Sequence, residues 1–185
     1  APAIAAGNQG FLAIWATQGL GVGSGITGGF FDAVGSEDTA RYQVHSDVPT
    51  SLSVAHRQYG NYVVVWSTDR GGVADEDVFL RYALKYAGAT VHRVNKTTEG
   101  DQNNVDIGML ASHGMVVSWD DSALDGDGSG IYMRVYGANG RSIKREIRIN
   151  DTTAGDQTDS AIAGLADGGF VVTWTSEGQD GRASG

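Results

Sequence analysis

An aspartate-rich loop at residues 120–130 holds the residues whose types and spacing could do chemistry. Asp125, Asp127 and Ser129 lie two residues apart, and Gly130 follows them. Oxygen ligands at alternate positions followed by glycine form the first half of a calcium-binding loop, because the oxygens turn inwards and glycine permits a sharp bend. The sequence therefore predicts a calcium site in this loop. Its ligands would be Asp121, Asp125, Asp127 and Ser129.

The second half of this loop departs from the calcium pattern. Tyr136 stands where an EF-hand has a bidentate glutamate, so Asp120, Asp121 or a neighbouring segment would have to complete the coordination. A metal-free loop rich in Gly and Asp remains the alternative. The corresponding loop one repeat earlier offers a second pair of candidate calcium ligands, Asp75 and Asp77.

Signatures of other chemistry are missing from the sequence. The chain has no cysteine, which excludes thiolate catalysis, disulfides and cysteine-bound metals. Its four histidines form no HExxH pair, and no GxSxG motif is present. A formal net charge of −9 disfavours nucleic acid as a partner, because phosphate contact needs clustered Lys and Arg. No apolar run reaches the roughly 20 residues that span a bilayer.

A repeat organises the whole chain. Its mark is a short apolar segment ending in tryptophan, and these segments hold all four tryptophans, which are 51, 53 and 55 residues apart. The segments are LAIW (12–15), VVVW (63–66), VVSW (116–119) and VVTW (171–174). The tripeptide Gly-Asp-Gln at 100–102 also returns 55 residues later, at 155–157. A period of this size indicates a propeller, a solenoid or an array.

Each unit contains segments typical of short strands. In the third unit they are 105–111, 115–119, 131–136 and 146–150, and the last two flank an Asn-Gly pair that signals a hairpin. The first strand of the fourth unit is expected at 160–166. The Gly-Asp-Gln linkers are expected to be structural, with the aspartate capping its own turn. We place the units at 1–48, 49–103, 104–158 and 159–185, and the last of them is incomplete.

Four antiparallel strands in about 50 residues form the blade of a β-propeller. We therefore predict an all-β, β-propeller-like fold with three full blades and half of a fourth. The Val-Val-x-Trp strand is expected to be an inner, well-buried strand, with its indole between neighbouring blades. Aromatic residues of the third strands could stack on sugars, although packing between blades is the expected role. These residues are Phe79, Tyr82, Tyr132 and Tyr136.

Three segments resemble a tandem repeat of large secreted bacterial proteins: DGDGSGIYMRVYGANG (125–140), RINDTTAGDQ (148–157) and GGFVVTWTSEGQDG (168–181). Those proteins often carry calcium-binding modules of the RTX or VCBS type, and they belong to the adhesin and hemolysin-like class. The resemblance implies a secreted or cell-surface location and use of calcium. It is specific for the repeat and not for an activity.

Three and a half blades do not close a ring, since propellers typically need four to eight. The missing part could come from a longer array, a second chain or a second copy, and we expect another chain or a self-copy to complete the propeller. The function that the sequence favours is calcium-stabilised binding or adhesion, with a glycan or protein ligand. Two alternatives stay open: a propeller enzyme whose site another chain completes, and a purely structural spacer.

Overall fold

The chain folds into β-sheets joined by turns and loops. The structure, a computed structural model, describes residues 1–18, 23–38, 40–58, 61–69, 75–83 and 90–177. Strands are the regular elements of these ranges, and no helix among them is long and apolar enough to cross a membrane. The last eight residues of the unit placed at 159–185, residues 178–185, lie outside the described residues.

Consecutive strands pair into four antiparallel sheets, which we call blades 1 to 4. Blade 1 consists of β1 (Ala3–Gly7), β2 (Gly10–Thr17), β3 (Gly25–Phe31) and β4 (Tyr42–His45). Blade 2 consists of β5 (Ser51–Arg57), β6 (Asn61–Asp69), β7 (Glu76–Ala83) and β8 (Val91–Arg93). Blade 3 consists of β9 (Gln102–Met109), β10 (Met115–Asp121), β11 (Gly130–Tyr136) and β12 (Ile147–Arg148). Blade 4 contains β13 (Gln157–Gly164) and β14 (Phe170–Ser176).

The blades pack face to face through the tryptophan-bearing second strands. Trp66 and Trp119 are fully buried, and each belongs to an apolar cluster shared with the preceding blade. The expected burial is confirmed for β6 and β10, whereas β2 is only partly buried and β14 alternates between half-buried and exposed residues. The innermost position, however, belongs to the first strand of each blade, because β1 lies against β5, β5 against β9 and β9 against β13. The Val-Val-x-Trp strand is the second strand outwards.

The third-strand aromatics pack between blades. Tyr132 and Tyr136 lie in the cluster between blades 2 and 3, and Tyr82 packs against it. Phe79 lies in the cluster between blades 1 and 2. The packing role, and not sugar stacking, is therefore the one that the structure gives to these rings.

The predicted first strands begin too late. β9 begins at Gln102 instead of residue 105, and β13 begins at Gln157 instead of residue 160. The two glutamines, expected in a linker, are fully buried and enter the sheet. The outer strand of blade 3 is shorter than expected, with two residues instead of five.

A buried amide network explains why these glutamines belong to the sheet. Asn150 Nδ2 donates to Gln157 Oε1 (2.8 Å), and its Oδ1 accepts from the Ile131 N–H (2.9 Å). Gln157 Nε2 donates to the carbonyls of Ala154 and Gly155 (3.1 and 3.0 Å). The network ties the outer part of blade 3 to the first strand of blade 4.

The same network occurs one repeat earlier. Asn95 Nδ2 donates to Gln102 Oε1 (2.7 Å), and Asn95 Oδ1 accepts from the Val78 N–H (2.9 Å). The linker aspartates complete both copies, since Asp101 accepts from the Glu76 N–H and Asp156 from the Ser129 N–H. The structural role expected for the Gly-Asp-Gln linkers is confirmed, although each aspartate caps a strand-entry loop of the preceding blade and not its own turn.

Asn150→Ala should destabilise the fold by on the order of 3 kcal/mol, because it leaves the buried Ile131 N–H and the amide oxygen of Gln157 unpaired. Asn139→Ala, in the exposed turn before β12, should cost less than about 1 kcal/mol. Urea unfolding of both variants measures the free energies of unfolding. Equal losses would show that the buried network does not stabilise the repeat.

Candidate functional site

The first strands of three blades line a groove at the ends where these strands begin. We call it the inner groove; it has a volume of about 450 Å³. Polar side chains dominate its wall, and no Lys or Arg side chain is among the lining residues that the structure describes. The lining residues are Ala1, Thr50–Ser53, Asn104–Asp106 and Asp159–Ala161.

Two of the lining residues adopt strained backbone conformations. Asn104 has φ 49° and Asp159 has φ 57°, in the left-handed region that side chains other than glycine rarely occupy. Each lies at a register shift between the first and second strands of its blade. The two are 55 residues apart, so they occupy the same position of the repeat. Bulges and left-handed residues concentrate at functional sites, where they re-aim side chains.

A buried carboxylate holds both residues. Asp120, at the end of β10, is only 2% exposed. Its Oδ2 accepts from Asn104 Nδ2 (2.6 Å) and from the Asp159 main-chain N–H (3.1 Å). Its Oδ1 is buried and has no hydrogen-bond partner among the described residues. Burial raises the pKa of this carboxyl to about 6, against the lowering effect of its hydrogen bonds.

Asp106 joins the first strands of three blades. Its Oδ1 accepts from the Ser53 hydroxyl of blade 2, and its Oδ2 accepts from the Ile162 N–H of blade 4, both at 2.8 Å. Because both oxygens are used, Asp106 acts as a clamp that fixes the spacing of the groove walls. The side chains of Asn104 and Asp159 are exposed in the wall, as are Ala1, Thr50 and Ala161.

The calcium ligands predicted from the sequence lie elsewhere, around the loop after β10. Asp121 is fully buried, and its Oδ1 accepts from the N–H groups of Ala123 and Leu124, both at 3.0 Å. Its Oδ2 is buried without a well-formed hydrogen bond among the described residues. Burial raises the pKa of the carboxyl, against the lowering effect of the Ala123 and Leu124 N–H groups and of the Gln102 side chain. The Asp121 side chain therefore caps the first turn of the loop.

Asp125 joins the amide network instead of a cluster of acids. Its Oδ2 accepts from Asn150 Nδ2 (3.2 Å), and its Oδ1 accepts from the exposed Asp127 through the main-chain N–H (3.3 Å). Ser129 uses its N–H to bind Asp156.

In blade 2, Asp77 makes the contact with the network asparagine that Asp125 makes in blade 3. Its Oδ1 accepts from Asn95 Nδ2 (2.6 Å), and its other oxygen lies 3.5 Å from Arg93 Nη1. Asp75 is exposed beside it. In the part of the chain that the structure describes, no three His, Cys, Asp or Glu side chains converge as metal ligands. The described residues of these loops show no such cluster, and calcium binding stays a prediction.

The sequence interpretation missed Asn104, Asp106 and Asp159, and it considered Asp120 only as an optional calcium ligand. A signal for them was present. Asp106 and Asp120 replace the serines found 53 residues earlier, at positions 53 and 67. Blade 3 therefore carries acids where blade 2 carries hydroxyls, but only the structure shows that Asp120 binds Asn104 and Asp159 and that Asp106 binds the neighbouring blades.

Comparison with solved structures supports the architecture. An endo-arabinase from Bacteroides thetaiotaomicron VPI-5482 superposes with a TM-score of 0.55 over 99% of this chain and 71% of that chain, at 12% sequence identity. The β-propeller-like fold class is confirmed. At this identity the likeness concerns the fold alone. No protein-family model matches the sequence, and no curated protein matches it.

The pKa of Asp120 predicts a pH-dependent stability. A pKa raised from 3.8 to about 6 means that the folded state holds the proton more tightly than the unfolded state. The contribution of Asp120 to stability is therefore complete below about pH 4 and is lost as the pH rises through 6. Asp120→Asn removes this titration, so its stability relative to the wild type should rise by on the order of 2 kcal/mol between pH 4 and pH 7. Urea unfolding at several pH values measures the difference; a constant difference would contradict the assignment.

Proposed function

We propose that this chain is a carbohydrate-binding β-propeller module of a secreted or cell-surface protein, with the inner groove as its binding site. The observation that carries the proposal is the pair of left-handed residues, Asn104 and Asp159, held at one rim by buried Asp120. Maintaining a left-handed conformation in a residue other than glycine costs on the order of 1 to 3 kcal/mol. A repeat position that keeps this strain twice is best explained by a use for the two side chains.

The chemistry of these side chains suits a sugar. Hydroxyl groups are both donors and acceptors, and the Asn104 amide can donate and accept while the Asp159 carboxylate accepts. Asp106 and Asp120 fix the spacing of the groove walls before a ligand binds. This preorganisation reduces the conformational entropy that is lost on binding. Carboxylates line the groove without a lysine or arginine side chain, so neutral saccharides are favoured over uronates.

Glycine variants test the proposal without disturbing the backbone. Asn104→Gly and Asp159→Gly remove the side chains while allowing φ values of 49° and 57°. Each should weaken binding to a neutral polysaccharide, such as arabinan, about tenfold or more. Asp159→Gly should leave the melting temperature unchanged, whereas Asn104→Gly should lower it, because buried Asp120 loses a hydrogen bond. Asp151→Gly, at an exposed position after the outer strand of blade 3, is the control. Titration calorimetry against neutral and uronate polymers measures the affinities.

The outcome also separates the alternatives. Wild-type protein that binds no neutral glycan would overturn the proposal and favour the spacer function. Release of reducing ends from the polymer, lost in Asp159→Gly, would favour the enzyme. One observation favours an enzyme. The pKa of the Asp120 carboxyl is raised by burial to about 6, and the charge of nearby Asp159 contributes to that rise. Asp120 is only 2% exposed, which favours a supporting role over contact with substrate.

The calcium part of the sequence prediction is tested separately. If the loop after β10 binds calcium, the melting temperature should exceed that in EDTA by about 5 °C or more at 100 times the Kd. Asp127→Asn should abolish the difference, and Asp151→Asn should keep it. Differential scanning calorimetry in both buffers measures the two melting temperatures, and equal values would contradict the predicted calcium site.

A further inference from the structure

Both well-packed interfaces between blades follow one rule. In each second strand, the tryptophan and the residues two and four positions before it form the Trp face, and the residues between them form the valine face. Trp66 and Val64 of blade 2 pack against blade 1. Trp119 and Val117 of blade 3 pack against Val63 and Val65 of blade 2. In both interfaces the Trp face meets the valine face of the preceding blade.

The Trp face of blade 1 has no such blade against it among the described residues. It presents Phe11, Ala13 and Trp15, which are all half-buried. Ile4, paired with Ala13 and hence on the same face, is 64% exposed. The ring of Phe31 stacks on Phe11, with the centroids 5.0 Å apart. This surface has the apolar composition of the buried Trp faces, and the Arg41 guanidinium, paired with Glu37, lies over its Trp15 ring, 5.6 Å from the centroid.

Blade 4 presents the opposite kind of surface. Val171 of β14 is 45% exposed, and Thr173 and Thr175 continue the same face. Ala161 and Ala163 of β13 pair with Thr173 and Val171, so they lie on this face as well. All five side chains are small or β-branched, and none is charged. Val63 and Val65 of blade 2 hold the equivalent positions and pack against Trp119.

We propose that the valine face of blade 4 docks on the Trp face of blade 1 of a second copy of this chain. A second copy is the occupant that the observations support, because one chain carries both halves of an interface that it already forms within itself. The contact joins two different surfaces, so it is heterologous: it closes a ring if the rotation between copies allows, and extends a chain of copies if it does not. It would set β13 of one copy against β1 of the other, beside the inner groove.

One difference makes this junction weaker than the internal ones. Arg81 of blade 2 donates to the Val44 carbonyl of blade 1, and Arg134 of blade 3 donates to the Val94 carbonyl of blade 2. The equivalent position of blade 1 is Gly29, which pairs with Ala13. The junction therefore lacks one charge-assisted hydrogen bond. We expect reversible association, with a Kd on the order of micromolar.

Sedimentation equilibrium of the whole chain over a range of concentrations tests the proposal. The wild type should associate, and either Phe11→Glu or Val171→Glu should leave a monomer, because every contact needs one surface of each kind. Val34→Glu, at a turn position that is 86% exposed, is the control that should associate like the wild type. Unchanged melting temperatures in the variants would show that their folds are intact.

Mixing the two glutamate variants gives the sharpest result. Phe11→Glu keeps the blade 4 surface and Val171→Glu keeps the blade 1 surface, so an equimolar mixture should form a one-to-one dimer although neither variant associates alone. A wild type that stays monomeric, a Val171→Glu variant that still associates, or a mixture that does not pair would each overturn the proposal. Its failure would leave carbohydrate binding untouched, because that is measured on separate variants.

Discussion

Burial of tryptophan against the preceding blade is the interaction on which this structure depends. A four-stranded sheet has two faces, and a single blade of about 50 residues cannot cover either of them from within. Trp66 and Trp119 are removed from water only because a neighbouring sheet supplies the other half of each apolar cluster. Stability is therefore a property of adjacent blades, as in other repeat architectures.

The polar network has a different role. It stabilises the path by which the chain returns from the outer edge of one blade to the inner strand of the next. Asn95 and Asn150 accept from the start of the third strand and donate to the glutamine that starts the next blade. Their amides are almost completely buried, where an unpaired polar group would be costly. The network thus fixes the register of blade against blade, while the apolar clusters supply most of the burial.

The inner groove departs from the regularity of the rest of the fold. Blade 2 has no register shift between its first two strands, whereas blades 3 and 4 each have one, with Asn104 and Asp159 in left-handed conformations. Asp120 lies beneath both, with one oxygen satisfied and the other buried without a partner. Two strained backbone conformations and a carboxyl group with a raised pKa, that of Asp120, therefore occur together at one rim of a polar groove. That combination distinguishes this rim from the two loops with more aspartates.

The sequence by itself determined the class of the fold. The recurrence of Val-Val-x-Trp and Gly-Asp-Gln at nearly one offset predicted the blades, because such periodicity needs no knowledge of contacts between distant residues. It could not determine where β9 and β13 begin, since burial of Gln102 and Gln157 depends on asparagines from the preceding blade. The aspartate-rich loop drew attention because its spacing is local. Asn104, Asp120 and Asp159 come together only through strand register and the packing of blade 4 on blade 3, so only the tertiary structure could reveal their shared site.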